Sequence, residues 1–175
     1  SDHMPLNPQI IGKDMPHGFA GCYARQPDMI VETRPAGGET PITFGTPLVY
    51  DTDNVSVIPA GATFAAADFA GVAGFEIKSV LNYLEQAAGQ YAPGEPTSVF
   101  QRGSINVKCY DGTPALGGAV YVRTATSETY TTGVVGGFSA NNESGKTVAL
   151  TNCQWGGPAD ANGIAELVIL TKLNA

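Results

Sequence analysis

Residues that break regular structure recur along this chain at short intervals, and they limit the length of any helix or strand. Glycine and proline supply 22 and 12 of the 175 residues, about 19% where roughly 12% is usual. The segments between them alternate between apolar and polar side chains, as strands with one buried face do. About eight to ten short strands result, many at spacings of roughly 8–12 residues. The predicted fold class is therefore all-β, a small β-barrel or sandwich.

The clearest strand lies in the second half of the chain. Ile105, Val107 and Cys109 alternate with Asn106 and Lys108, so one face of this strand is expected to be buried. Residues 164–170 are almost continuously apolar and are expected to lie in the core. A turn rich in Asp and Asn at 51–54 predicts a hairpin over 48–58. The other predicted strands cover 19–25, 29–34, 42–44, 69–77, 98–102, 118–123, 148–151 and 153–155.

The chain is expected to form one domain with an arm. Residues 1–4 are interpreted as a cloning remnant that ends at a native start, Met4. Residues 5–28 contain four prolines and are predicted to form an extended, irregular N-terminal arm. Residues 29–175 are predicted to form a single β-barrel domain. No signal peptide is expected, because residues 5–20 have no apolar core of about 7–15 residues.

Two segments depart from the strand pattern. Ile77, Leu81, Leu84 and Ala88 fall at helical spacing, which predicts either one short helix or an ordered loop over 77–91. Residues 125–146 are polar and rich in glycine, which predicts a long loop on the surface.

The charge of the chain excludes several functions. The formal net charge is −7, and the nine basic residues are scattered, whereas a nucleic-acid surface needs clustered Lys and Arg. No run of about 18 apolar residues is present that could span a membrane. Only 14% of the residues are charged, where about 25% is usual. A weakly charged chain of this kind suits a protein whose surface is largely covered by partners.

The sequence offers little for catalysis or metal binding. Cys22, Cys109 and Cys153 are widely spaced and odd in number, so they are expected to be free thiols. Asp51 and Asp53 are predicted to belong to the hairpin turn. Calcium binding is the alternative for these two carboxylates, but their surroundings lack the glycine and the distal glutamate of a calcium loop.

Two glycine-containing segments carry part of the pattern of a phosphate-binding loop. Residues 145–147 match the end of such a loop, but Ala140 stands where its first glycine is needed. Residues 133–137, Gly-Val-Val-Gly-Gly, lack a strand-to-helix context. Apart from the remnant, His17 is the only histidine. No catalytic residue, cofactor or metal site is predicted.

A carbohydrate-binding β-sandwich is the main alternative function. Such a module needs several exposed aromatic rings on one face. The candidates for this platform are Tyr83, Tyr91, Tyr130 and Trp155, although Trp155 is expected to pack at a barrel end. A small β-barrel hydrolase or lyase is a weaker alternative. Such an enzyme needs His, Asp and Glu side chains that converge in a cleft, and outside the remnant the sequence has one histidine.

Several segments, in this order, resemble the structural cement (capsid decoration) proteins of tailed phages. The similarity covers about residues 10–170, and each segment alone is a short strand or turn fragment. The segments are Pro41-Ile-Thr-Phe-Gly-Thr46, Leu48-Val49, Phe69-Ala-Gly-Val-Ala73, Glu76-Ile-Lys-Ser79, Tyr91-Ala-Pro-Gly-Glu95, Val99-Phe-Gln-Arg-Gly-Ser-Ile-Asn-Val107, Gly117-Gly-Ala-Val-Tyr-Val-Arg123, Cys153-Gln-Trp155 and Asn162-Gly-Ile-Ala-Glu-Leu167.

The resemblance implies a non-enzymatic structural protein of the bacteriophage virion. Such a protein is a β-barrel domain on the outer surface of the phage head, made in the host cytoplasm, that bridges neighbouring major capsid protein subunits. It implies a homo-oligomer, a trimer or dimer on the capsid, and no catalytic residues to carry over. The loops 79–90 and 125–146 vary in this family.

Residues 5–22, together with the loop 35–41, are expected to lie against capsid subunits. Within and next to the arm, the candidate interface residues are Ile10, Ile11, Met15, His17, Phe19 and Tyr23.

Overall fold

The computed structural model of the protein describes residues 18–75 and 89–171, without the side chains of 25–28. The described part contains eleven strands and a single short 3-10 turn, Ala66–Asp68. The strands are β1 (Tyr23–Pro35), β2 (Ile42–Thr43), β3 (Pro47–Tyr50), β4 (Val57–Pro59), β5 (Phe69–Ala73), β6 (Gln90–Tyr91), β7 (Pro96–Asp111), β8 (Ala119–Arg123), β9 (Phe138–Ser139), β10 (Thr147–Trp155) and β11 (Ile164–Ile169). The prediction of an all-β barrel is confirmed.

Five strands close into a barrel. The C-terminal half of β7 pairs with β11, which pairs with β10; β10 pairs with β8, and β8 with the short β9. β9 returns to β7 as its parallel neighbour and completes the ring. The barrel core contains Trp155, Phe138, Ile105 and Leu167, each at most 1% exposed. We call this unit the barrel.

The N-terminal half of β7 belongs to a second group of strands, which we call the second sheet. There β7 pairs with β1 on one side and with β5 on the other. β3 pairs with β5 and then with β4, and an isolated bridge from Ala36 to Val57 brings the end of β1 against β4. A separate core forms here, with Ile42, Leu48 and Val99 fully buried, and the two-stranded sheet of β2 and β6 contributes to it.

The long strand β7 therefore serves both units. On one edge of β7 the partner changes from β5, which pairs with Phe100, to β11, which pairs from Gly103 onward, while on the other edge β1 continues to Ile105. Gly103 has a φ of +109°, a backbone conformation that glycine adopts without steric cost. The change of partners thus falls at a residue that permits a local distortion of the strand.

Several predicted strands are found, and the hairpin over 48–58 is confirmed as β3 and β4. The predicted strands 98–102 and 103–109 form the single strand β7, and 148–151 and 153–155 form the single strand β10. In β7 the strand β1 pairs on both sides of the break, whereas in β10 the break coincides with a register shift against β8 between Leu150 and Gln154.

The start of the described chain differs from the sequence prediction in one respect. β1 begins at Tyr23, so residues 23–28 of the predicted arm belong to a strand that runs through Pro27. Proline removes one backbone donor, and β1 tolerates this because its register with β7 shifts between Arg25 and Ile30. The rest of the arm up to residue 17 lies outside the described residues.

The loop 125–146 is not only a surface segment, as the sequence suggested. Its middle forms β9, and Phe138 and Ser139 are buried within the barrel wall. The predicted helix or ordered loop over 77–91 falls mostly on residues 76–88, which lie outside the described residues.

Candidate functional site

A buried charge cluster links the barrel to the loop 125–146. Arg123, at the end of β8, donates from Nη2 to Asp111 Oδ2 at 2.8 Å and from Nη1 to Glu143 Oε1 at 2.7 Å. The side chains of Arg123 and Asp111 are 0% and 2% exposed. Ser139 and Asn141 also donate to Asp111 Oδ2, each at 2.8 Å. We call these five residues the charge cluster.

The cluster holds its carboxylates in the ionised form. Burial alone would raise the pKa of Asp111, but the hydrogen bonds from Arg123, Asn141 and Ser139 outweigh it and hold the pKa below its ordinary value. Hydrogen bonding from Arg123 likewise lowers the pKa of Glu143. Asp111 Oδ2 accepts three hydrogen bonds, so the cluster is suited to fixing the loop and not to exchanging protons with a substrate.

The glycines of residues 133–137 let this segment pack closely against the rest of the molecule. A Cβ atom on Gly133 would collide with the Arg123 side chain, one on Gly136 with the carbonyl oxygen of Ala60, and one on Gly137 with the Tyr110 ring. Gly136 also has a φ of +81°. Between these anchors Val134 and Val135 are 45% and 38% exposed. We call residues 133–137 the valine loop.

An open groove of about 320 Å³ lies where the barrel meets the second sheet. The turn between β2 and β3, together with Pro59 and Ala60, contributes lining on the side of the second sheet. Residues 134–138 with Lys108, Tyr110 and Ile164 contribute lining on the side of the barrel. Ala20 also lines the groove, so the start of the described chain lies beside it.

Two of the predicted interface residues fall within the described part. Phe19 is 49% exposed and packs edge-to-face on Phe75, with ring centroids 4.8 Å apart. Tyr23 stacks on Phe100 at 5.3 Å and packs against the barrel core. The other four candidates, Ile10, Ile11, Met15 and His17, lie outside the described residues.

The contact between Phe19 and Phe75 brings the end of the predicted arm close to the start of residues 76–88. Phe75 donates its backbone N–H to the carbonyl of Gly21, and Gly21 donates to the carbonyl of Asn106. In the sequence, the part of the predicted arm that precedes β1 ends near Phe19, and residues 76–88 follow Phe75 directly. The attachment points of the predicted arm and of the 76–88 segment are therefore adjacent on the surface.

The predicted capsid-facing loop 35–41 lies elsewhere. Gly37 donates its N–H to the carbonyl of Val57, and a Cβ on Gly37 would crowd Asp51, Ser56 and Ile58. This loop therefore packs at the turn end of the β3–β4 hairpin, whereas the groove lies at the other end, where Pro47 and Pro59 line it.

The carboxylates considered as metal ligands are used in turns. Asp53 Oδ1 accepts from the backbone N–H groups of Val55 and Ser56, both at 2.8 Å, and these bonds lower its pKa. The predicted turn at 51–54 is confirmed. Asp160 Oδ1 accepts from the N–H groups of Asn162 and Ile164 in the same way. Among the described residues, no group of three or more His, Cys, Asp or Glu is arranged to hold a metal ion.

The cysteines are free, as predicted. Burial raises the pKa of Cys109 to about 11 and that of Cys153 to about 12. These two thiols therefore carry almost no thiolate at neutral pH.

The aromatic residues considered as a carbohydrate platform do not share an exposed face. Tyr91 and Trp155 are 0% and 1% exposed, and Tyr130 is 37% exposed. Tyr91 donates its hydroxyl to the carbonyl of Gly74, and Trp155 packs edge-to-face on Phe138 inside the barrel. Tyr83 lies outside the described residues. No described helix is long and apolar enough to cross a membrane.

The sequence interpretation missed the charge cluster and the groove. Arg123 is 12 residues from Asp111 and 20 from Glu143, and no short motif joins such positions. One signal was available, because an arginine directly follows four residues of a strand with buried Val120 and Val122. An arginine that is itself buried needs a buried anion, because charged side chains are almost never fully buried unless they are paired.

Comparisons with known proteins agree with the resemblance seen in the sequence. A family model described as "Structural cement protein (E217 gp24/Pam3 gp6)" matches residues 7–170. A chain of the solved capsid of Myoviridae phage XM1 is similar in structure, with a TM-score of 0.65, 16% sequence identity, and coverage of 97% of this chain and 99% of that chain. No curated protein matches. Because the family model spans most of the chain, this protein belongs to the structural cement protein family of phages.

Proposed function

We propose that this protein decorates the outside of a phage head, where it bridges neighbouring major capsid protein subunits and stabilises the shell. The match of the structural cement family over residues 7–170 carries this proposal. The fold shared with a chain of a phage capsid supports it. The protein would act by binding alone, without catalysis, after synthesis in the host cytoplasm.

Two structural features of the described part suit a protein that stabilises a shell. The charge cluster fixes a long loop to the barrel through ionic hydrogen bonds, which are about twice as strong as neutral ones. One strand, β7, runs through both packed units, so load applied to one unit passes directly to the other. A rigid body loses less entropy on docking than a flexible one.

The predicted arm would extend the contact with the shell beyond the folded domain. An extended chain spans up to about 3.3–3.6 Å per residue, so residues 5–17 could cover roughly 45 Å of a neighbouring surface. Phe19, half exposed beside the base of the arm, would continue this contact on the domain. Together with the loop 35–41, this gives contacts at both ends of the β3–β4 hairpin.

The protein would act as a symmetric oligomer on the head, a dimer or a trimer. Closed symmetry is the usual arrangement for homo-oligomers. Two or three linked copies, each with a modest contact to the shell, bind more tightly than one copy because the second contact is intramolecular.

Mixing the purified protein with undecorated heads tests this function. We expect regular added density at fixed lattice positions in electron micrographs. Deletion of residues 5–17 is expected to remove the decoration and to leave the unfolding midpoint unchanged. This deletion is preferable to one that extends to residue 22, because the backbone bonds of Gly21 and Cys22 to Asn106 belong to the folded domain.

Two results would contradict the proposal. Heads that stay bare with the complete chain would exclude decoration. Decoration by the shortened chain at the wild-type level would leave decoration intact and exclude the arm as a capsid contact. A chain with residues 1–3 removed, which begins at Met4, is the matched control, because that deletion takes away only residues of the interpreted cloning remnant.

A further inference from the structure

We infer that the groove between the barrel and the second sheet binds an apolar segment of the shell protein that carries a carboxylate. The valine loop and Lys108 would make the contacts. This inference rests on the proposed function and specifies one surface through which decoration takes place.

The valine loop exposes apolar side chains that belong to neither core. Val134 and Val135 are the only consecutive residues among the exposed large hydrophobic side chains of residues 18–75 and 89–171. Tyr110, 38% exposed, lies beside them in the groove lining. Adjacent exposed apolar side chains next to a concave surface are typical of a binding site for another chain.

The loop is held in place before any partner arrives. Gly136 donates to the carbonyl of Arg123, and Gly137 donates to the carbonyl of Val134. Thr132 Oγ1 donates to the carbonyl of Tyr110 at 2.6 Å. Together with the close glycine contacts, these bonds fix the two valines, so little conformational entropy is lost when they are covered.

The charge of the groove indicates the partner's chemistry. The chain carries a net charge of −7, yet the groove lining contains Lys108 and no Asp or Glu. Lys108 Nζ donates to the carbonyl of Asn162 at 3.0 Å, and an ammonium group has two further donors. Within the described ranges no carboxylate pairs with it. A segment with a carboxylate next to its apolar residues would complement this lining.

The lining also favours a protein segment over a small molecule. Its polar side chains are Thr43, Thr46, Lys108 and Tyr110, spread over both walls, whereas small-molecule sites use a few convergent polar groups in an enclosed cavity. A second copy of this chain is the other candidate occupant, and sedimentation of the groove variants would distinguish it from the shell protein.

Variants in the groove test the inference in the head-binding assay. We expect Val134→Ser/Val135→Ser to weaken binding to undecorated heads roughly tenfold or more, because two apolar side chains lose their burial. Lys108→Glu should weaken binding by a similar factor, and this effect should shrink at high salt. Leu116→Ser is the control, since Leu116 is 81% exposed in the turn between β7 and β8 and does not line the groove. Unfolding midpoints of all variants are compared with the wild type.

Each outcome decides between the two proposals. Wild-type affinity in both groove variants would overturn the inference and leave decoration intact, whereas failure of the wild-type chain to bind heads would overturn the proposed function as well. An equal loss in Leu116→Ser would show that any exposed apolar side chain contributes equally, and it would also overturn the inference. A changed oligomeric state in sedimentation, with unchanged head binding, would identify a second copy as the occupant and overturn it too.

Discussion

At the scale of single residues, the contact between Arg123 and Asp111 carries the largest electrostatic consequence. Both side chains are almost fully buried, so removing one leaves a charge without a partner and without water. A buried pair broken in this way costs about 3–5 kcal/mol, whereas an exposed pair is worth about 1 kcal/mol or less. Arg34 and Glu32, 2.6 Å apart and about one-third exposed, provide the exposed comparison.

Arg123→Met is therefore expected to lower the free energy of unfolding at pH 7 by about 3–5 kcal/mol in a denaturant titration. The deficit should narrow as the pH falls from 7 toward 4. Without the arginine, only the hydrogen bonds from Ser139 and Asn141 oppose the effect of burial, so the pKa of Asp111 in the fold should lie higher than in the wild type, and the variant takes up this proton at higher pH. In the wild type the pKa of Asp111 is lowered, so its contribution persists above its ordinary pKa and disappears as the pH falls through the lower folded value.

Arg34→Met is the control for this experiment and should cost about 1 kcal/mol or less. Equal losses in the two variants, or a deficit in Arg123→Met that does not change with pH, would show that Arg123 acts only by filling space.

At the scale of residues, the sequence predicts the turns that are held by hydrogen bonds between residues close together in the chain. The Asp53 and Asp160 turns are recognisable because each aspartate binds backbone groups within four residues. The charge cluster is not recognisable in the same way, because its partners meet only after β7, β8 and the loop 125–146 have come together. For the interface candidates, Phe19 is exposed as an interface residue should be, whereas Tyr23 already packs on the barrel core.

At the scale of elements, the pairing of β5 with β7 depends on a glycine. Gly71 has a φ of +146°, and a Cβ there would collide with the carbonyl oxygen of Phe100 on β7. Gly71→Ala should therefore destabilise the protein by roughly 2 kcal/mol or more, through strain and displacement of β5. Gly61→Ala is the matched control, because nothing lies within 4 Å of its Cβ position, and it should be neutral or slightly stabilising. Thermal unfolding followed by circular dichroism compares them, and a neutral Gly71→Ala would contradict this account.

Elements were predictable where the alternation of side chains was long, as in β7, and less so where pairing overrides the local pattern. β9 has two residues and lies in a polar, glycine-rich segment, so no periodicity can reveal it. It exists because β7 and β8 both supply backbone partners. The passage of β1 through Pro27 has the same origin, since β7 determines where that strand continues.

At the scale of the whole molecule, the two cores are connected through β7. Phe100 belongs to the barrel core and its neighbour Val99 to the core of the second sheet. Successive residues of a strand point to opposite faces, so the same backbone segment separates the two cores. Loss of one core should therefore release the strand that supports the other. This coupling predicts one cooperative unfolding transition for the described part.

The single tryptophan makes the coupling measurable, because Trp155 lies in the barrel core. Leu48→Ala changes only the other core, where Leu48 is 0% exposed, and it should cost about 2–5 kcal/mol. If the cores unfold together, Trp155 fluorescence and far-ultraviolet circular dichroism should shift to the same lower denaturant midpoint. Val55→Ala, at an exposed position, should leave both midpoints unchanged. A Trp155 transition that stays at the wild-type midpoint while the dichroism signal shifts would show two independent units, and a cement protein built that way could not transmit load from one unit to the other.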